Sequence, residues 1–274
     1  MTVTAGAGPA VAATPDVGSA QPGQRPGGVG VRRRSDLKHY LIMPVALVLA
    51  SVALYLWVHG KTLDSIEGRL LNATVIRQSV LRHLQMVAIS TAIVIAIAVP
   101  LGILLTRSSA RPLVPIVIGL ANIGQMVPSL GVLVILALLF GIGVKYAVIA
   151  LVLYALLPVL RNTMVGLRQV DPAVIEAGRG MGMTKRAVLW KIELPLAVPI
   201  VLAGVRTAMV INVGTATIAV LTSAGGLGTI VYGGIVQYRS TVTIAGSVMT
   251  GILALSVDYL AGIAEEVLSP RGLQ

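Results

Sequence analysis

Apolar residues in this chain fall into long runs, too long for strands and mostly too long for ordinary core helices. A helix needs about 20 apolar residues to cross a bilayer core. Six runs meet or approach that length, at about residues 41–58, 85–105, 113–140, 146–160, 196–221 and 243–267. The fourth is short. The third is long and holds Pro128, which predicts a kink or a break there. Between the first two runs the pattern changes. Across residues 62–84, Ile66, Leu70, Val80 and Leu84 alternate with charges at roughly helical spacing. Such a segment is expected to lie along the outer interface before the chain turns into the second run. The pattern as a whole predicts an all-α polytopic membrane protein with about six transmembrane helices.

Composition agrees with this reading. Of 274 residues, 56% are hydrophobic and 11% charged, and the mean hydropathy is +0.91. A soluble domain carries roughly twice that charged fraction. Cysteine is absent, which excludes a disulfide framework, a thiolate metal site and a cysteine nucleophile. His83 lies in the amphipathic segment with no second ligand near it in sequence, so it reads as an interfacial residue rather than a metal ligand.

The net charge of +11 could indicate nucleic acid, but the basic residues sit at the ends of apolar runs. They read as topology signals, and no nucleic-acid partner is expected. With six alternating spans and the N-terminus inside, the inside segments hold Arg25, Arg32, Arg33, Arg34, Lys38, Arg107, Arg111, Arg161, Arg168, Arg179, Lys185, Arg186, Lys191 and Arg271. The outside segments hold Lys61, Arg69, Arg77, Arg82, Lys145 and Arg239. Fourteen against six places both termini in the cytoplasm. The expected divisions are a disordered tail at 1–37, a first span and interfacial segment at 38–84, a core at 85–267 and a short cytoplasmic end at 268–274. The tail is rich in Gly, Ala and Pro and lacks apolar periodicity. Arg33-Arg34 with Leu37-Lys38 partly matches a twin-arginine signal, but no small-residue cleavage site follows, so an anchor is expected instead.

The largest inside loop, about 170–194, reads Asp171-Pro172-Ala173-Val174-Ile175-Glu176-Ala177-Gly178-Arg179-Gly180-Met181-Gly182 and runs on through Thr184 to Ile192-Glu193-Leu194-Pro195. Asp171 suits an N-cap and Pro172 the first helical position. Gly178, Gly180 and Gly182 are expected to break that helix and permit a tight bend. Thr184 then caps a second short helix running into Pro195. The expected product is a helix–turn–helix knob that can enter a groove on a partner.

Glu176-Ala177, Gly182 and Ile192-x-Leu194-Pro195, with the third small residue Gly178 in place of alanine, resemble the EAA loop of ATP-binding-cassette (ABC) importer permeases. The stretches Gln125-Met126-Val127-Pro128-Ser129-Leu130, Leu157-Pro158-Val159-Leu160-Arg161-Asn162-Thr163, Gly204-Val205-Arg206-Thr207-Ala208 and Ala224-Gly225-Gly226-Leu227-Gly228 resemble the osmoprotectant branch of that family. The resemblance implies a type I, MetI-like permease fold in the bacterial cytoplasmic membrane. It implies that Glu176, Ala177, Gly178, Gly182, Ile192, Leu194 and Pro195 dock on separate ATPase subunits. It also implies a second permease copy or a related permease, membrane lipid around the helices, and glycine betaine, choline or carnitine as cargo. Another solute, such as an amino acid, stays open, as does an ion-coupled secondary transporter.

No G-x-x-x-x-G-K-[ST] loop occurs, so ATP and Mg are expected on the partner ATPase and no cofactor on this chain. No nucleophile–base pair points to an enzyme. The outside loops and the end of the chain are too short for a fused binding domain, so a separate extracytoplasmic binding protein is expected. Its aromatic cage would hold the quaternary ammonium ion, since the ten aromatic residues here are scattered.

Arg206 and Asp258 are the clearest ionisable residues inside spans. An intramembrane charge normally has a partner. Their depths from the inner ends, roughly 16 Å and 13 Å at 1.5 Å per residue, suit a structural ion pair. Attraction of a cationic substrate by Asp258 is the other reading. Gln125, Pro128, Ser129, Asn162, Asn212, Thr215 and Thr217 are candidates to line a passage, or else to mediate helix packing.

Overall fold

The computed structural model describes residues 36–269. The expected tail at 1–37 lies outside them up to residue 35, and the expected C-terminal end from residue 270. A compact unit begins at Tyr40.

Apolar runs become helices because a helix satisfies its backbone internally, as lipid requires. The order is α1 (Asp36–His59), α2 (Ser65–Leu70), α3 (Ala73–Leu105), α4 (Val114–Met126), α5 (Ser129–Phe140), α6 (Val144–Arg168), α7 (Pro172–Gly180), α8 (Lys185–Val188), α9 (Leu194–Ala216), α10 (Gly228–Val236) and α11 (Ser240–Leu268). No strand occurs among the described residues. Among the described residues, five helical rods are long and apolar enough to span: α1, α3, α6, the run from α8 through α9, and α11. The α4–α5 pair is bent by 93°.

The direction of each rod follows from its contacts. A side chain at Gly102 of α3 would meet Thr163 and the Leu160 carbonyl of α6. At the other end, Met86 and Val87 of α3 share a core with Ala147, Ala150 and Leu151 of α6. The two helices are therefore parallel, and the chain between them must return to the opposite end. The bent pair makes that return. Ala110 and Ala121 pack with the core near Leu160, and Leu133 with the core near Leu151. The α4–α5 pair thus counts as one crossing, which makes six among the described residues.

α9 runs antiparallel to α6. A Cβ at Gly166 would meet Ala197 and Ile200, and one at Gly204 would meet Asn162 and the Pro158 carbonyl. These glycines let the two backbones approach closely. Between membrane helices that contact replaces the hydrophobic drive that lipid cannot supply. Buried alanines at 98, 121, 155 and 208 serve the same core.

The expected interfacial segment differs from the structure. The chain does not turn near residue 84. Only α2 is separate, closed by a capping box in which Asp64 accepts from the Ile66 and Glu67 amides. A second cap at Asn72, accepting from the Val75 amide at 2.9 Å, starts α3 twelve residues before the expected span. Arg77 and Arg82 made that first stretch look interfacial, yet Ser79, His83, Met86 and Val87 form a buried stripe along it. The fourth span is likewise longer than expected, reaching Arg168.

Candidate functional site

The knob lies between α6 and α9. Asp171 accepts from the Ala173 amide at 2.8 Å, and Pro172 opens α7 at a position where an N–H would be unpaired anyway. Two of the three glycines behave otherwise than expected. Gly178 and Gly180 stay inside α7. The turn comes at Met181–Gly182, where Gly182 has φ +83°, a conformation that costs a side chain about 1–2 kcal/mol. Thr184 accepts from the Ala187 amide and starts α8.

Gly178 is the buried contact point of the knob. A Cβ there would meet Ile192 Cδ1, so the third small position of the motif and the isoleucine of I-x-L-P are one contact. The Met183 amide donates to the Gly178 carbonyl at 3.1 Å and closes the turn. Glu176 and Ala177 are exposed, and so are Met181 at the turn and Trp190 in the second helix, at 76% and 68%. Exposed Glu176, Met181 and Trp190 give the knob a mixed charged and apolar surface suited to insertion in a partner groove.

The second helix does not stop at Pro195. A π turn over Leu189–Glu193 joins α8 to α9, with the Leu194 amide donating to the Leu189 carbonyl. The widened turn accommodates Pro195, which has no amide and would crowd a regular turn. Knob and span thus form one rod from Lys185 to Ala216. At its root Glu193 is 5% exposed and accepts from both Arg107 nitrogens, at 3.3 and 2.5 Å. Sequence reasoning missed this pair, since Glu193 occupies the free position of I-x-L-P. A charge beside a proline at a span entrance was the available signal.

Arg206 and Asp258 meet deeper in the bundle. Arg206 Nε and Nη2 donate to the carboxylate at 2.5 and 2.7 Å. Arg206 Nη1 also lies 3.7 Å from Glu265, and Gly262 leaves room for the guanidinium. Asp258, Gly262 and Glu265 share one helical face at i, i+4 and i+7. That spacing was readable, and Glu265 was overlooked.

The passage candidates are not brought together. Gln125 donates to the Tyr154 carbonyl at 2.8 Å beside the break at Pro128 and Ser129. Asn162 lies against Gly204. Asn212 is fully buried and donates to Ser90 Oγ and Thr91 Oγ1, at 3.0 and 3.2 Å. The Thr217 hydroxyl is buried without a hydrogen-bond partner, and Thr215 is half-buried. His83 is buried rather than interfacial. Its Nδ1 accepts from the Leu227 amide at 3.2 Å, so Nε2 carries the proton and donates to the Val213 carbonyl at 2.9 Å. It ties α3 to the end of α9 far from the knob and to the Gly225–Gly228 turn. Among the described residues no three metal-ligating side chains come together.

At the bend, the Val127 amide closes α4 on the Ile123 carbonyl, and the Val132 amide opens α5 on the Pro128 carbonyl. Carbonyls at 124–127 and amides at 129–131 therefore lie outside both helical ladders.

Residues 98–272 match the model of the binding-protein-dependent transport system inner membrane component family. The chain is 40% identical over 200 residues to the carnitine transport permease protein OpuCD of Listeria monocytogenes, covering 73% of this chain and 89% of that one. It is 39% identical over 192 residues to the choline transport system permease protein OpuBB of Bacillus subtilis, covering 70% and 88%. The inward-facing MetNI methionine ABC transporter superposes with a TM-score of 0.64 at 25% identity, over 76% of this chain and all of that one. With the MetI-like bundle, the bent crossing and the knob rooted in α9, these matches establish that the chain belongs to the binding-protein-dependent inner membrane permeases of ABC transporters.

Proposed function

We propose that this permease passes a quaternary-amine osmoprotectant, of the glycine betaine, choline or carnitine kind, from a separate extracytoplasmic binding protein into the cell. The observation that carries the coupling half of this reading is the rigid continuity of knob and span. The surface around Glu176, Ala177 and Met181 docks on an ATPase subunit that holds ATP and Mg. Gly178 against Ile192, Gly182 at the turn, and Leu194 and Pro195 in the rod pass its movement to α9. The Arg107–Glu193 pair carries the same movement to α3. ATP drives the cycle by binding one conformation of the assembly more tightly than the other.

The knob end is the cytoplasmic end. Arg107, Arg111, Arg161, Arg168, Arg179, Lys185, Arg186 and Lys191 gather there, against six basic residues at the far end. Leu41 and Ser269 lie at that same end because six crossings separate them. The passage forms against a second permease at the α4–α5 break. Unpaired backbone there cannot face lipid, so protein or a water-filled passage must cover it. Gln125, Pro128 and Ser129 are the passage residues the bend favours. Asn162, Asn212, Thr215 and Thr217 support it from within the bundle. The curated relatives favour quaternary amines as cargo, whereas the methionine transporter shares the fold at lower identity.

Proteoliposomes holding the permease, its ATPase and its binding protein test the reading. ATP-dependent uptake of radiolabelled carnitine, competed by choline and glycine betaine, is expected. Uptake competed only by amino acids moves the cargo to the second reading. Uptake without the ATPase overturns the mechanism.

A further inference from the structure

Between α1, the start of α3 and the first half of α11 lies a cavity of about 830 Å³. Its walls are apolar, with Leu54, Val80, Met249 and Leu253 facing into it. Its deep end holds Ser51 and Ser256, but both hydroxyls donate to their own helices, at 2.8 and 2.7 Å, and offer no free donor. Its rim holds His59 and Arg77. Arg77 has no acidic partner among the described residues, because Asp64 is taken by Arg239. From Ala245 to Ser256 the groove follows α11 for about 16 Å at 1.5 Å per residue. That is one half of a hydrocarbon core about 30 Å thick. The depth is thus the depth of a single leaflet, with the cation at headgroup level.

We propose that this groove binds one anionic phospholipid, its phosphate paired with Arg77 and an acyl chain laid along Leu54, Val80, Met249 and Leu253. An unpaired guanidinium beside an apolar slot repels a quaternary ammonium cargo and attracts a phosphate. The groove is therefore not the passage. A lipid also accounts for why α1 stands off from the bundle, with none of its spanning window buried. The chain fills the gap that side chains leave. In the orientation proposed above this is an outer-leaflet lipid; the site itself does not depend on the direction of transport.

The test is native mass spectrometry of the whole detergent-purified permease complex, given phosphatidylglycerol or phosphatidylcholine. The wild type is expected to retain phosphatidylglycerol about tenfold over phosphatidylcholine, the effect of one charge-assisted contact. Arg77→Gln should lose that preference while still binding either lipid weakly. Met249→Trp should fill the slot and lose both. If Met249→Trp fails to assemble, Leu253→Phe replaces it. No preference in the wild type, or a preference kept by Arg77→Gln, overturns the proposal. So does an adduct that survives filling of the slot. A groove covered by the partner permease would give no wild-type adduct, and that too overturns it. Uptake assayed on the same samples separates failure here from failure of the transport reading.

Discussion

Arg107, just past the end of α3, and Glu193, just before α9, grip each other through two hydrogen bonds of 3.3 and 2.5 Å, with Glu193 5% exposed. The knob grows from one of these residues and the neighbouring span ends at the other. A force on the knob therefore reaches two spans at their shared end. Removing Arg107 leaves a buried carboxylate unpaired, whereas removing Glu193 leaves a guanidinium that can reach water, being 37% exposed. Arg107→Ala should therefore destabilise the bundle by about 1–3 kcal/mol, and Glu193→Gln by less. Both should lower uptake per ATP hydrolysed. Thermal unfolding, with ATPase and uptake rates measured together, checks this. Equal coupling ratios in wild type and variants would remove the pair from the mechanism.

Gly178 and Gly182 are expected to tolerate alanine unequally. At Gly178 a Cβ meets Ile192 Cδ1, the far end of a flexible side chain. Helix propensity there gains about 0.8–1.0 kcal/mol, so Gly178→Ala should fall within about 1 kcal/mol of neutral. Gly178→Leu cannot be accommodated and should abolish ATPase docking. Gly182 has open space around it but φ +83°. Gly182→Ala should cost about 1–2 kcal/mol through the backbone alone, while Gly182→Asn should be milder because asparagine tolerates that region. Co-purification of the ATPase with each variant gives the order.

The sequence disclosed the spans because lipid demands apolar runs, and it disclosed the break because Pro128 has no amide to give. It could not disclose an angle of 93°, which depends on how α4 and α5 pack against two halves of α6. The knob was legible from Asp171, Pro172 and Thr184, whose capping chemistry is local. Its bend was misplaced because three glycines permit a turn and only Gly182 takes a positive φ. Gly178 instead serves a contact fourteen residues away. The start of α3 was misread because charged residues on one face hid a buried stripe that begins with Ser79, His83 and Met86. Pairs such as Arg107 with Glu193, and Asn212 with Ser90, join distant segments. Such partners are set by tertiary packing, and only Arg206 and Asp258, both isolated in apolar runs, advertised each other.

Exchanging Arg206 and Asp258 tests whether that pair is structural. Either single reversal places like charges together in a low-dielectric setting and should reduce complex yield several-fold. The double exchange, Arg206→Asp with Asp258→Arg, moves a carboxylate toward Glu265, which now lies 3.7 Å from Arg206 Nη1. Rescue should therefore be partial, and adding Glu265→Gln should improve it. Yield of intact complex after extraction is the readout. Normal assembly in the single reversals, with uptake alone impaired, would favour attraction of a cationic substrate by Asp258.

Strong acid should loosen the start of α2. Asp64 is held below its usual carboxylate range chiefly by the Glu67 amide, with the Ile66 amide and Arg239 adding to the effect against some burial. A depressed folded pKa stabilises α2 above the unfolded value near 3.8, and that stability fades as pH falls through the folded value. Between pH 7 and 5 the cap should hold unchanged. Below about pH 4 the amides of Ile66 and Glu67, and those that follow in α2, should lose protection relative to their intrinsic exchange, which itself slows in acid. Asp64→Asn keeps an N-cap oxygen but loses the charge on Arg239 and the titration. Its α2 amides should be slightly less protected at pH 7, and that protection should not fall further at low pH. Hydrogen exchange followed by mass spectrometry across this range reads both arms. An Asp64→Asn profile that still breaks below pH 4 would assign the acid response to another group.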